Sequence, residues 1–242
     1  MHEELLARLP LFQNLEPASR QALDAEVRAL KLQRGGILFR SGDEADGLYV
    51  LLTGKVKLTK PSRQPQPTIT VTRRGRAMVP APRESLLGLI GPGEMFGELS
   101  VIDGGFRSTT ATAMLDCHLA HMPRQSILGL VAHHHDVSQA MLHQMAHRVR
   151  ESNETISGLV LSDVPGRMAY LLLSLADRFG VPGDHGVEVH HDLTQAELAQ
   201  MVGASRETVN KVLTDFVARK WISMSGKSVT IREPQRLRAR VD

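Results

Sequence analysis

The side chains best suited to chemistry lie near the C-terminus, in SRETVNKVLTDFVARKW (205–221). At helical spacing, Val209, Val212, Leu213 and Phe216 fall on one side, and Arg206, Glu207, Asn210, Lys211 and Thr214 on the other. The polar set suits base edges in a DNA major groove. Arg is bidentate to guanine, a carboxylate accepts from the cytosine amino group, and Asn pairs with adenine. An ordinary solvated helix face has a similar composition, so position carries the reading. Just upstream, Thr194-Gln195-Ala196-Glu197 is a capping box that opens a short helix with Leu198 and Val202 on its inner face. That helix stops at Gly203, and Ser205 caps the next one. A short helix, a glycine turn and a second helix make the helix-turn-helix pattern, with the polar residues on the first turns of the second helix. The following WISMSGKSVTI reads as a small β-wing whose Lys227 and Ser228 can reach phosphate. Its GKS is no nucleotide P-loop, because Trp221 stands where that motif needs glycine.

The 11 histidines are the other candidate chemistry. His133, His134, His135, His143 and His147 suggest metal sensing. At roughly 1.5 Å rise per residue, however, His143 and His147 are about 6 Å apart and His135 is about 12 Å from His143, too far to share one ion. In DCHLAHM, strand alternation puts Cys117 and His121 on one face and His118 on the other, and an extended His190-His191 pair points opposite ways. No metal site is expected. No catalytic site is expected either: there is no G-x-S-x-G, no HExxH, and no HxH pair in 36–122 for a β-sandwich oxygenase.

These residues need elements to position them. Residues 1–30 have helical spacing: Leu5, Leu6 and Leu9, then Leu23, Val27 and Leu30. From residue 35, short apolar runs separated by glycine (GGILFRSGD, GLYVLLTG, KVKLTK) predict a β-sandwich or jelly roll. Strand texture resumes at Leu86–Ile90 and continues to about Met122. Residues 61–84 interrupt it with Pro61, Pro65, Pro67, Pro80, Pro82 and Arg63, Arg73, Arg74, Arg76, Arg83. This reads as a solvated loop, or as an accessory phosphate-binding arm, in which Thr68–Thr72 can extend a hairpin. From Val137, Leu142, Met145, Val149, Ser152, Ile156 and Leu159 are spaced 3, 4, 3, 4, 3, the seam of a helix that pairs with another helix. Asp163 then N-caps a helix over 164–179, with Pro165 in its first turn, followed by a Gly/Pro loop, GVPGDHG.

Bulk properties agree. The chain has 242 residues, enough for one large domain or two ordinary ones. A single cysteine, Cys117, excludes an internal disulfide and a four-thiolate iron–sulfur cluster, and suits a reducing cytoplasm. No apolar run approaches the roughly 18 residues of a membrane helix. The start, MHEELLARLP, lacks the pattern of a secretory signal. The net charge of +3 is an average. Residues 193–241 hold nine Lys/Arg against four Asp/Glu, whereas 163–192 hold two against five. Basic charge is thus concentrated on the expected reader.

LTQAELAQMVGASRETVNKVL resembles the winged helix-turn-helix of the cyclic-AMP receptor protein family (the catabolite activator and FNR superfamily). FGELSVIDGGFRSTTATA resembles that family's cyclic-nucleotide cassette, and DVPGRMAYLLLSLADRFG its hinge and first DNA-domain helix. Within the family, the GlxR-type receptors of high-GC Gram-positive bacteria share ASRETVNK. The resemblance implies an α+β fold: a cyclic-nucleotide-binding jelly roll over 1–136 carrying the insertion 61–84, a dimerisation helix over 137–162, and a winged helix-turn-helix over 163–242. It implies cyclic AMP as allosteric effector, held at Gly97, Glu98, Leu99, Arg107, Ser108, Arg148, Ser152 and Asn153. Glu98 would hold the ribose 2′-hydroxyl. Arg107 and Ser108, with backbone N–H groups after Gly97 at a helix start, would hold the cyclic phosphate, and Ser152 and Asn153 would read the base. The implied DNA-contacting set is Thr194, Ser205, Arg206, Glu207, Asn210, Lys211 and Lys227. Lys211 replaces a family arginine and loses a bidentate fork. The implied protein is a cytoplasmic homodimer on TGTGA-type palindromes, a partner of double-stranded DNA and RNA polymerase, with no membrane. A metal- or haem-sensing, or ligand-independent, regulator of the same superfamily is the alternative. On this reading Arg107→Ala is expected to abolish the nucleotide response without unfolding the protein.

Overall fold

The structure is a computed structural model that describes residues 16–61, 70–71, 77–78 and 84–241. It divides into two compact units, Met1–Val137 and Ser138–Asp242.

The first unit opens with helix α1 (Pro17–Glu26), with proline in its first turn. The helical spacing read to residue 30 ends earlier. Val27 is the C-cap in extended backbone, and Leu30 lies in strand β1 (Arg28–Leu32). Leu5, Leu6 and Leu9 fall outside the described residues. Strands β2 (Ile37–Phe39), β3 (Gly47–Thr53) and β4 (Val56–Pro61) follow. A two-stranded pair, β5 (Thr70–Val71) and β6 (Ala77–Met78), is all that is described of the insertion's interior. Its arginines and the possible arm they form lie outside the described residues. Then come β7 (Glu84–Ile90), β8 (Met95–Phe96), helix α2 (Glu98–Ile102), β9 (Thr110–Ala113) and β10 (Cys117–Pro123). Two four-stranded antiparallel sheets result, ordered β1-β10-β3-β8 and β2-β9-β4-β7. Phe39, Tyr49, Leu51, Val56, Ile90, Phe96, Ala111 and Leu119, contributed by both sheets, form one buried cluster. This is the expected jelly roll.

Alternation is lost where both faces of a strand are covered. All of Gly47–Leu51 in β3 is buried, and Leu119 and Ala120, adjacent in β10, are both buried while His118 is exposed; a bulge opposite His118/Leu119 leaves Leu52 of β3 without a partner on β10. Helix α3 (Arg124–His133), which the strand-to-helix reading of the sequence missed, packs on β10, β3 and α1. Leu48 and Met122 of those strands are buried, as are Ile127 and Leu130 of the helix.

Helix α4 (His135–Leu161) begins at the end of the first unit and supplies the start of the second. Helix α5 (Val164–Phe179) is capped by Asp163, which accepts from the Gly166 N–H at 2.9 Å. It buries Met168, Ala169, Leu171, Leu172 and Leu175. GVPGDHG is no loop. It forms β11 (Gly180–Gly183) and the turn into β12 (Gly186–His190), a hairpin paired in register. Helices α6 (Gln195–Met201) and α7 (Arg206–Ala218) follow, then β13 (Ile222–Ser225) and β14 (Ser228–Ile231). The sheet is ordered β11-β12-β14-β13. A last helix, α8 (Pro234–Val241), packs on α5 through the fully buried Leu237. Among the described residues, no helix is long and apolar enough to cross a membrane.

Candidate functional site

The cassette read from FGEL to RS is built around one side chain. Arg107 is among the largest fully buried residues, only 2% exposed. Its Nη1 donates to the Gly97 carbonyl at 2.7 Å. Its Nη2 donates to the Gly47 carbonyl at 2.6 Å and to Asp46 Oδ1 at 2.7 Å. The guanidinium carbon lies 4.3 Å from the centre of the Phe39 ring and 5.5 Å from that of Tyr49. A buried guanidinium is costly unless its donors are matched, and here two fixed carbonyls and a carboxylate match them. Its Nε is buried and has no hydrogen-bond partner.

Two glycines make this geometry possible. Gly97 has φ +80°, and a Cβ there would sit 2.7 Å from Arg107 Nη1. At Gly47 a Cβ would meet the Met122 carbonyl at 2.2 Å and His121 Nε2 at 2.5 Å. A side chain at Gly47 would push β3 and β10 apart, and one at Gly97 would displace the Arg107 guanidinium. Phe39, Tyr49 and Phe96 form the aromatic floor, with centroids 5.7–6.1 Å apart, and His121 stacks on Tyr49 at 4.8 Å. Burial pushes the Tyr49 phenol well above its ordinary range, and the neighbouring Asp46 carboxylate adds to the rise. Burial likewise pushes the His121 imidazole down, against the pull of Asp46.

Of the other expected ligand residues in this unit, Glu98 is 1% exposed at the first position of α2. Leu99 and Ser108 are exposed. Helix α2 spans only five residues, so its macrodipole adds little and only its first backbone N–H groups count. The structure thus brings Gly97 and Arg107 into direct contact and sets Glu98 and Ser108 next to them in the chain. Arg148, half-buried, and Ser152 and Asn153, both exposed, stand on α4 in the second unit. Asp46 and Tyr49 were not singled out from the sequence. A Gly47-Leu48-Tyr49 strand start looks like ordinary core, and nothing in the spacing links it to a residue some 60 positions away.

The second unit holds the reader. The capping box is complete: Thr194 Oγ1 accepts from the Glu197 N–H at 3.2 Å, and Glu197 accepts from the Thr194 N–H at 2.9 Å. Ser205 Oγ accepts from the Thr208 N–H at 3.1 Å, starting α7. Val209, Val212, Leu213 and Phe216 are buried, while Arg206, Glu207, Asn210, Lys211 and Thr214 are exposed. Glu207, Asn210, Lys211 and Thr214 line an open groove that continues to Asp215 and Ala218. Asn210 Oδ1 accepts from Gln195 Nε2 at 3.2 Å, which ties the two helices across the polar side. Lys227 is exposed in the two-residue turn between β13 and β14. His190 Nδ1 bonds Ser228 Oγ at 2.6 Å, so that wing hydroxyl is already engaged.

Behind the reader lies a brace the sequence reading missed. Arg167 donates to the Ser162 carbonyl at 2.7 Å and the Val202 carbonyl at 2.7 Å, and at 3.4 Å to that of Gly203. One side chain thereby joins the end of the segment after α4 to the turn of the helix-turn-helix. Arg240 of α8 closes on Asp163. Among the described residues, no three His, Cys, Asp or Glu side chains gather as a cation would need.

Residues 29–134 match the family model for a cyclic nucleotide-binding domain, and residues 166–240 the model for a Crp-like helix-turn-helix domain. The chain is 41% identical over 238 residues to a CRP-like cAMP-activated global transcriptional regulator of Mycobacterium tuberculosis, covering 98% of this chain and 99% of that one. The chain belongs to the CRP family of transcription regulators. It is also 30% identical to the Cyclic AMP receptor protein of Thermus thermophilus over 93% of both chains. FixK2 from Bradyrhizobium japonicum shares the fold, with a TM-score of 0.72 at 18% identity over 89% of this chain and 98% of that one. Membership of the CRP family places Arg107 in the cyclic nucleotide-binding segment and Arg206 and Lys211 in the Crp-like reader. The two groups of residues belong to different parts of one regulator.

Proposed function

We propose that the chain is a cyclic-AMP-responsive homodimer that binds TGTGA-type palindromes in the cytoplasm and acts on transcription with RNA polymerase. The observation that carries the effector is Arg107: a buried guanidinium, locked on two carbonyls and a carboxylate, that keeps Nε free for an anion inside the cyclic nucleotide-binding segment. Ser108 and the backbone N–H groups after Gly97 complete the phosphate set, Glu98 takes the ribose hydroxyl, and Leu99 closes the cassette. Arg148, Ser152 and Asn153 join from the resemblance.

Homodimerisation is favoured by α4. Leu142, Val149 and Ile156, one seam at heptad spacing, are 66%, 58% and 59% exposed. Two such helices bury that apolar surface against each other. The paired readers then meet half-sites about 34 Å apart, the spacing of successive major grooves on one face of DNA. Thr194, Ser205, Arg206, Glu207, Asn210, Lys211 and Lys227 form the DNA-contacting set. The nucleotide acts by favouring one of two arrangements of the dimer, and its leverage equals its difference in affinity for them.

Gel shifts on a TGTGA palindrome with and without cyclic AMP and cyclic GMP test this. Cyclic AMP is expected to tighten binding at least tenfold and cyclic GMP far less. Equal shifts in all three lanes overturn the effector assignment.

A further inference from the structure

The arginine at the centre of the nucleotide site is not held by the backbone alone. Asp46 stands just before β3, and its carbonyl accepts from the Arg124 N–H at 2.8 Å where β10 passes into α3. Its carboxylate reaches Arg107 Nη2 at 2.7 Å and also accepts from the Tyr49 hydroxyl at 2.9–3.0 Å. His121 Nε2 lies 3.5 Å from its other oxygen. The Asp46 side chain is 61% exposed, whereas that of Arg107 is 1% exposed. A carboxylate at the surface therefore supplies the counter-charge of a guanidinium that is fully enclosed.

We propose that Asp46 is a positioning residue for nucleotide binding: it holds Arg107 Nη2, through a link to Tyr49 beneath, so that Nε is the donor presented to the cyclic phosphate. The guanidinium has five N–H bonds. One N–H of Nη1 is spent on Gly97 and both of Nη2 on Gly47 and Asp46; Nε is the one nitrogen of the group that is buried with no partner at all. The Phe39 ring fixes the plane of the group from one face. Asp46 completes the restraint within that plane and ties it to the Tyr49 ring, 5.5 Å from the guanidinium carbon. Preorganising a donor removes the ordering cost from the binding step. The same carboxylate also carries negative charge toward an incoming anion. Positioning and repulsion thus oppose each other, and two substitutions separate them. Asp46→Asn keeps an oxygen acceptor for Nη2 and drops the charge. Asp46→Ala drops both.

The inference rests on the nucleotide reading above, so the test begins with the wild-type protein. Full-length dimer is titrated calorimetrically with cyclic AMP and with the two phosphorothioate diastereomers, in which sulfur replaces one or the other exocyclic phosphate oxygen. If wild-type protein binds no cyclic AMP, the nucleotide reading itself fails. If it binds, Asp46→Ala is expected to weaken cyclic AMP about tenfold and to reduce the preference between the diastereomers. Asp46→Asn is expected to stay within about threefold of wild type and to keep that preference. A merely structural role lowers affinity for both diastereomers alike and leaves their ratio unchanged. Asp46→Ala binding as tightly as wild type, or more tightly, overturns the proposal, as does Asp46→Asn falling as far as Asp46→Ala. Should Asp46→Ala fail to fold, Tyr49→Phe serves instead. It removes the hydroxyl behind Asp46 and keeps the ring, and the diastereomer ratio must shrink toward one. An unchanged ratio in Tyr49→Phe overturns the link to Tyr49.

Discussion

Arg107 and Arg206 carry the same charge in opposite settings. Arg107 is enclosed, its donors matched by the Gly97 and Gly47 carbonyls and Asp46, with an aromatic ring at 4.3 Å. Arg206 is exposed on the first turn of α7, and its neighbours Glu207, Asn210 and Lys211 share an open surface. A small anion must be gripped by groups that are already in place, because it brings few contacts to offset their ordering. A DNA surface brings many phosphates and base edges, so its readers can stay mobile until it arrives. On the function proposed here, stability and recognition are fused at Arg107 and separate at Arg206.

Arg107→Ala is the strongest way to break that comparison. Truncation leaves two carbonyls without donors and takes the cationic partner from Asp46, which is exposed and keeps the Tyr49 hydroxyl, so a destabilisation of about 2–3 kcal/mol is expected, with nucleotide affinity lost at least 100-fold. The stability loss revises the expectation, drawn from the sequence, that this substitution spares the fold. Thermal unfolding and calorimetric titration read the two effects. An unchanged melting temperature would show that the enclosed network contributes nothing. Arg206→Ala is the counterpart. Its melting temperature should not move, since surface changes fall within about 0.5 kcal/mol. Binding to the specific palindrome should weaken by about 1–3 kcal/mol, and binding to random DNA hardly at all. An equal loss on both DNAs would make Arg206 a phosphate contact.

The two regions also differ in how much the sequence reveals. The reader is written in local spacing. A capping box, a glycine turn, an N-cap serine and a two-faced helix all lie within about 25 residues, and each forms as read. The Arg107 site is assembled from Phe39, Asp46, Gly47, Gly97 and Arg107, spread over about 70 residues. The family cassette picks out Gly97 and Arg107, but only sheet pairing brings the rest together. The bulge at His118/Leu119 and helix α3 were hidden for a related reason. Burial on both sides of β10 erases the period-2 pattern that betrays a half-buried strand. The heptad seam shows the converse case. Leu142, Val149 and Ile156 were legible because their spacing is local, and the structure leaves them exposed.

The reader's exposed face needs a fixed back, and Asp163 tests how fixed it is. Asp163 accepts from the Gly166 N–H and pairs with Arg240 of the last helix. Asp163→Ala removes an N-cap, worth about 1 kcal/mol. The Gly166 N–H, and then Arg240, hold the Asp163 carboxyl below its usual range. A depressed carboxylate contributes its stability above the unfolded-state value and loses it as pH falls through the folded-state value. The difference between wild type and Asp163→Ala should therefore be constant near neutrality and shrink below about pH 4. The single tryptophan, Trp221, packs 5.3 Å from Phe216 in the same unit, so its fluorescence follows this transition. A difference that persists into strong acid would remove the charge from the cap.

The smallest effect belongs to Lys227, and it sharpens the contrast most finely. The residue sits exposed at the tip of the wing, where a cation can meet phosphate without reading a base. Lys227→Ala should weaken specific and random DNA alike and lower the slope of log affinity against log salt by about one. Nucleotide binding at Arg107 should show a much shallower slope, because an enclosed pair is poorly screened by ions. The two slopes measure in solution what the structure shows as enclosure and exposure. If Lys227→Ala changes specific DNA alone, the wing reads sequence, and the division between a positioning wing and a reading helix has to be redrawn.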